Sequence, residues 1–158
     1  MICGHYKNKP LNKRIISSNK ESEIEKSVIS ELPYQKDMSS QLVEIDLKKE
    51  RISFNQKNYN CFVSEKTTPG DFFVAEKWEF PYWKKNGVIY TPNYFNPIGE
   101  FLIILGDKKT LRKIPQSIHA IPMPPFGRKR KRCIRMEKDD LEDFFNNLDL
   151  GASVQITK

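Results

Sequence analysis

Ile118-His119-Ala120-Ile121-Pro122-Met123-Pro124-Pro125-Phe126-Gly127-Arg128-Lys129-Arg130-Lys131-Arg132-Cys133-Ile134-Arg135-Met136 is the stretch on which the reading of this chain turns. One histidine stands fourteen residues ahead of a cysteine, with Pro122, Pro124, Pro125 and Gly127 between them. Those residues fit neither a continuous helix nor a central strand, so the interval is a loop. A loop can fold back and set His119 beside Cys133. A thiol nucleophile needs that neighbour, because the thiolate is the reactive species and an imidazole can take its proton. The plainer alternative is a cysteine serving as a small buried hydrophobe. The spacing alone does not choose between them.

Upstream of this stretch, Ser117 to Ile121 reads as a strand end and Lys108 to Lys113 as an exposed basic segment. Phe101 to Leu105 is a continuous apolar run, short enough for a strand buried on both faces. Asn96-Pro97-Ile98-Gly99 is a turn, and Val88 to Thr91 another strand. Glu79-Phe80-Pro81-Tyr82-Trp83 is an aromatic loop whose rings either cap the core edge or line a substrate groove. Phe72 to Trp78 is a strand entered through the turn Thr67-Thr68-Pro69-Gly70-Asp71. Val43, Ile45 and Leu47 alternate with polar residues, Ile52 and Phe54 repeat the pattern, and Asn60 to Ser64 completes a three-strand meander. Tyr59, Cys61 and Val63 share one face there, which makes Cys61 a core residue.

Downstream, Glu137 to Asp143 opens a helix with Asp139 as the expected N-cap. Leu141, Phe144, Phe145 and Leu148 form its apolar stripe. Gly151 stops it, and Val154 and Ile156 alternate in a last strand. The expected fold is mostly β: a β-sandwich or mixed sheet with one helix in its C-terminal region, over residues 41–158. Residues 1–40 are polar, either a solvated arm or an arm carrying one helix from about Ser22 to Leu32, ended by Pro33.

The chain has 158 residues, which suits one domain and a tail, and a net charge of +7, which makes an anionic partner plausible. Cys3, Cys61 and Cys133 form no Cys-x-x-Cys pair, and the only other histidine is His5. Neither a structural metal, a cofactor nor a disulfide framework is expected. No apolar run is long enough for a transmembrane segment. Nor does a signal-peptide core follow Met1. The protein is therefore expected to stay inside, to leave by another route, or to have a leader that this sequence lacks.

Six motifs in order resemble one family, the YkuD-type L,D-transpeptidases, cysteine enzymes of bacterial peptidoglycan. Leu42 to Phe54 is similar to the family's opening strands, and Thr67-Thr68-Pro69-Gly70-Asp71-Phe72 to its Thr-Pro-Thr-Gly-x-Phe turn. Pro81-Tyr82-Trp83 resembles its Pro-Tyr-Trp, and Asn96-Pro97-Ile98-Gly99 its Asn-Pro-Leu-Gly. Ile118-His119-Ala120 resembles Ile-His-Gly, and Cys133-Ile134-Arg135-Met136 the Cys-Ile-Arg-Met that ends the signature. The acidic helix and Leu150 to Ile156 are similar to its closing helix and strand. The family's Ser/Thr-His/Lys-Gly before the cysteine is replaced by Arg130-Lys131-Arg132, and the His-to-Cys interval is shorter than usual.

The resemblance implies a bacterial cell-envelope enzyme with Cys133 as nucleophile and His119 as base. The implied substrate is a peptidoglycan stem tetrapeptide, taken through a thioester to a 3–3 cross-link, or to hydrolysis with water as acceptor. Carbapenem-type inhibitors are implied as ligands. Backbone N–H groups of Arg132 and Cys133 are candidates for the oxyanion hole. Ala120, Lys131, Arg135, Tyr82 and Trp83 join them as substrate-side candidates. Arg132 in the glycine's place is expected to crowd that hole or move its donors, reducing or altering activity. The basic run Arg128 to Arg132 is expected to favour the Cys133 thiolate, or to be a solvated charge run. Two other classes remain: a polyanion- or nucleic-acid-binding protein using that run, and a non-catalytic peptidoglycan binder. The basic run is not interleaved with aromatics, so nucleic acid is not the expected partner.

Overall fold

The computed structural model describes residues 39–85, 87–91, 96–121 and 132–158. The possible N-terminal helix and most of the Pro-rich and basic stretch, Lys131 included, lie outside the described residues. Eleven strands and one helix are described: β1 (Leu42–Asp46), β2 (Arg51–Phe54), β3 (Lys57–Asn60), β4 (Phe62–Val63), β5 (Gly70–Glu79), β6 (Trp83–Lys85), β7 (Val88–Tyr90), β8 (Phe101–Asp107), β9 (Arg112–Ala120), β10 (Cys133–Met136), α1 (Lys138–Asn147) and β11 (Ser153–Thr157).

Nine strands form one mixed sheet in the order β3-β2-β1-β11-β5-β8-β9-β10-β4, and β6 and β7 form a separate hairpin. The β1–β11 and β9–β10 pairs are parallel and the other described pairs antiparallel. Only Cys61 separates β3 from β4, yet these strands end the sheet on opposite sides. In a flat sheet nine strands would put those edges about 38 Å apart. The sheet therefore curls until its two edges meet at Cys61, whose backbone N–H donates to the Glu50 carbonyl at 2.8 Å. One wrapped sheet thus supplies both layers of the expected sandwich. Val43, Ile45, Ile52 and Tyr59 from one end share a core with Ile103, Ile118, Ile134 and Met136 from the other.

Helix α1 fills the inside of the curl because its apolar stripe has nowhere else to hide. Phe144 is fully buried and meets the edges of Phe54 and Tyr59 at ring distances of 5.3 and 5.7 Å. Phe145 stacks at 4.8 Å on Phe101. Lys77 Nζ lies 4.4 Å over the Phe145 ring and donates to the Leu148 carbonyl, at a helix end where carbonyls lack intrahelical partners. Burial lowers the pKa of that ammonium.

Three local expectations are corrected. The third strand is not a continuous Asn60–Ser64. Asn55 and Gln56 take left-handed φ of 47° and 63°, closing a tight β2–β3 turn, so β3 begins at Lys57. Phe62 and Val63 then leave to pair with β10. The N-cap of α1 is Glu137, with no side-chain cap bond, while Asp139 lies inside the first turn. Strand β9 begins at Arg112, not Ser117, despite Pro115. That proline sits where the β8–β9 register slips, between the Ile104–Ser117 and Gly106–Lys113 pairs, and outside the part paired with β10. An irregular, unladdered position is where a strand tolerates proline.

Candidate active site

Alternation along β9 and β10 sorts their residues onto two faces. Ile118, Ala120, Ile134 and Met136 belong to the main core. Ser117, His119, Cys133 and Arg135 take the other face. The parallel register sets Cys133 opposite Ser117 and Arg135 opposite His119. Neighbouring strands extend these rows. Leu102, His119, Arg135 and Phe62 lie in line across β8, β9, β10 and β4, and Ile104, Ser117 and Cys133 form the next row. His119 is thus the diagonal neighbour of Cys133 on one face of the parallel β9–β10 pair. The chain brings the two together through adjacent parallel strands, rather than by the loop alone.

Both groups are sheltered: Cys133 is 5% exposed and His119 1%. His119 Nδ1 lies 2.7 Å from the Ala120 carbonyl oxygen. A carbonyl only accepts, so Nδ1 carries the hydrogen and Nε2 is the basic nitrogen of the neutral ring. The cysteine is held from two sides. Ser64 donates to the Cys133 carbonyl from its hydroxyl at 2.7 Å and from its backbone at 3.1 Å. Ser117 Oγ lies 3.6 Å from Cys133 Sγ and donates to it. Next to Ser117, the buried Gln116 side chain accepts from Thr68 N at 3.1 Å and donates to the Thr68 carbonyl, tying the turn before β5 to β9.

Arg132 is exposed and has φ of 63°. The left-handed turn that favours glycine is therefore kept, with an arginine in it. Its carbonyl accepts from Ser117 N–H at 3.3 Å. Arg135 is buried at 6% exposure, on the row of His119. Of the two aromatics proposed for the substrate side, Trp83 is buried against Tyr90, Ile98 and Leu102, and Leu102 is the direct β8 partner of His119. Tyr82 is exposed, as is Phe80, which holds φ of 49°. The Asn96 side chain holds this region, donating to the Pro81 carbonyl and accepting from Ile98 N–H at 3.0 Å.

Cys61 sits in a different setting. It is 2% exposed, and burial first, then the carboxylates of Glu50 and Asp46, push its thiol up to about 12. Among the described residues, no three His, Cys, Asp or Glu side chains are placed to hold a metal ion. Ser64 and Ser117 were not singled out from sequence. For Ser117 the signal was there: counting back by two from His119 puts a hydroxyl on the histidine's face. For Ser64 there was none, because its contact crosses 69 residues.

A family model of the L,D-transpeptidase catalytic domain, YkuD, matches residues 40–156. The chain belongs to that family. Solved structures share its fold. An Enterococcus faecium L,D-transpeptidase, solved as a cysteine-to-serine mutant, superposes with a TM-score of 0.56 at 18% identity, over 76% of this chain and 50% of its own. An L,D-transpeptidase from Stackebrandtia nassauensis gives 0.53 at 16%, over 78% and 58%. L,D-transpeptidase 3 of Mycobacterium tuberculosis, in complex with a faropenem-derived adduct, gives 0.53 at 10%, over 75% and 60%. The chain thus spans half to three-fifths of the length of these proteins. No curated protein matches it.

Proposed function

We propose that this domain is a cysteine-dependent L,D-transpeptidase acting on peptidoglycan stem tetrapeptides. One observation carries the reading: Cys133 and His119 share a sheet face as diagonal neighbours, with the imidazole oriented through Nδ1. His119 Nε2 takes the proton from Cys133 Sγ. The sulfur attacks the carbonyl carbon of the third stem residue, forming a C–S bond and an oxyanion. Backbone N–H groups of Arg132 and Cys133 receive that charge, which in a water-poor site is the main aid such a step receives. Collapse breaks the amide C–N bond, His119 returns its proton to the departing D-alanine amine, and a thioester remains. An amine of a neighbouring stem then forms the new C–N bond as the C–S bond breaks, giving the 3–3 cross-link and restoring the thiol. Water in its place makes a carboxypeptidase.

Arg135 and Lys131 are the cations proposed to hold a stem carboxylate, Arg135 as a bidentate partner. Tyr82 offers an exposed ring to the substrate, and Trp83 supports the wall behind it. The Ala120 carbonyl orients the base. The substrate sets the place of work, the bacterial cell envelope. Among the described residues, no helix is long and apolar enough to cross a membrane.

The test is intact mass spectrometry after exposure to a carbapenem or to faropenem. One covalent adduct is expected on the wild-type chain and none on Cys133→Ala. A folded wild-type chain that stays unmodified, or a Cys133→Ala chain still labelled, overturns the proposal. Salt-sensitive DNA binding retained in Cys133→Ala would favour the polyanion reading instead.

A further inference from the structure

We infer that Ser117 is a positioning residue for the nucleophile: its hydroxyl donates to Cys133 Sγ and holds the sulfur in its ionised form, at one place on the sheet face. The inference rests on the reading of Cys133 as the nucleophile.

The strand register makes the contact. Ser117 and Cys133 are direct partners in the parallel β9–β10 pair, so their Cβ atoms leave the sheet side by side. The hydroxyl is 3.6 Å from the sulfur, within the range of an O–H···S bond. Strand β9 is fixed on both flanks, by β8 through Ile104 and by β10 through Cys133. Gln116 anchors it further through Thr68. On the other side Ser64 pins the Cys133 carbonyl with two donors. The cysteine main chain is therefore held from both flanks, and the hydroxyl bonds the sulfur at the end of its side chain.

A donor to a thiolate favours the charged form, because the hydrogen bond to the anion is stronger than the one to the neutral thiol. Sheltered as the sulfur is, a bonded hydroxyl replaces hydration that the anion has lost. Other groups also act on this sulfur. Among the described residues, the charged and titratable groups closest to it in the sheet are His119 on β9, Arg135 on β10 and the adjoining exposed Arg132. Across the edge, β4 brings Phe62 and Val63, and on the far flank β8 brings Leu102 and Ile104; none of these carries charge. His119 can donate only when protonated, and Arg135 lies one row away. Ser117 is thus the donor of the row that does not change charge with pH.

The experiment measures iodoacetamide alkylation of the Cys133 peptide against pH by mass spectrometry, together with the rate of faropenem adduct formation. Ser117→Val and Ser117→Thr are compared, since they share one shape and differ by the hydroxyl. Both are strand formers, which keeps the comparison available if Ser117→Ala folds poorly. Ser117→Val is expected to move the alkylation midpoint up by about one pH unit and to slow adduct formation about tenfold, with Ser117→Thr near wild type. Equal pH profiles for Val and Thr overturn the inference while leaving the proposed activity standing. Loss of the adduct in wild type overturns the activity itself, and the alkylation profile still tests whether the hydroxyl governs the thiol. A change in melting temperature with an unchanged profile would show a structural role only.

Discussion

Gly99 and Ala120 are in direct contact. A Cβ on Gly99 would stand 2.7 Å from the Cβ of Ala120, closer than two such carbons ever come, and Gly99 holds φ of 82°. The Asn96–Gly99 turn therefore rests on the residue whose carbonyl orients His119, and Ala120 N–H donates to the Ile98 carbonyl at 3.3 Å. Where this family's motif has Gly after the histidine, Ala120 takes the space that Gly99 leaves open.

Gly99→Ala should be costly on two counts, the overlap and the left-handed backbone. A loss of about 2–4 kcal/mol is expected. Ala120→Gly placed on top should return the overlap share and leave the backbone share. Urea denaturation of the two single variants and the double measures this; additive losses would mean that the two residues do not touch.

Arg132→Gly should gain stability. A non-glycine residue at φ of 63° carries a steric cost of roughly 1–2 kcal/mol, offset in part by the greater freedom of glycine in the unfolded chain. A net gain of about 1 kcal/mol is expected, with the β-lactam adduct forming at least as fast as in the parent. A lower denaturation midpoint would contradict the backbone geometry of this turn.

Cys61 should behave as a core residue. With its thiol pushed up to about 12 by burial and by Glu50 and Asp46, it is expected to resist alkylation at pH 8 in the native chain and to react fully in denaturant. Peptide mass mapping distinguishes it from Cys133. Rapid native labelling of Cys61 would mean that the seam where the sheet edges meet is open.

Asp143 predicts an acid limb. Hydrogen bonds from Lys57 and then Tyr59 hold its carboxyl below the ordinary value of 3.8. A group depressed in the folded state binds fewer protons there, so its stabilisation is present above pH 3.8 and fades as pH falls through the lower, folded value. Melting temperature followed from pH 6 to pH 2 should fall less steeply in Asp143→Asn, which starts lower at pH 6. Parallel curves would show that the contact with β3 does not form in solution.

Much of the fold could be read from local pattern. Alternation in Leu42–Leu47, the apolar run Phe101–Leu105 and the stripe Leu141, Phe144, Phe145 and Leu148 each report burial within a few residues of chain. The boundaries failed where local chemistry misled. The third strand begins at Lys57 rather than Asn60 because the turn lies at Asn55 and Gln56. Strand β9 runs through Pro115 and starts at Arg112, upstream of the strand end read over Ser117 to Ile121.

Sequence alone determined that the chain is mostly β with one helix and that it resembles an L,D-transpeptidase domain. These follow from periodicity and motif order, which are properties of neighbours along the chain. Tertiary structure alone decided that the sheet closes on itself at Cys61, that Ser117 stands beside the sulfur, that Ser64 pins its carbonyl and that Ala120 fits against Gly99. Each of those depends on strand register between segments remote in sequence. Register is fixed by how the whole core packs, since a slip of one residue would turn every side chain to the other face.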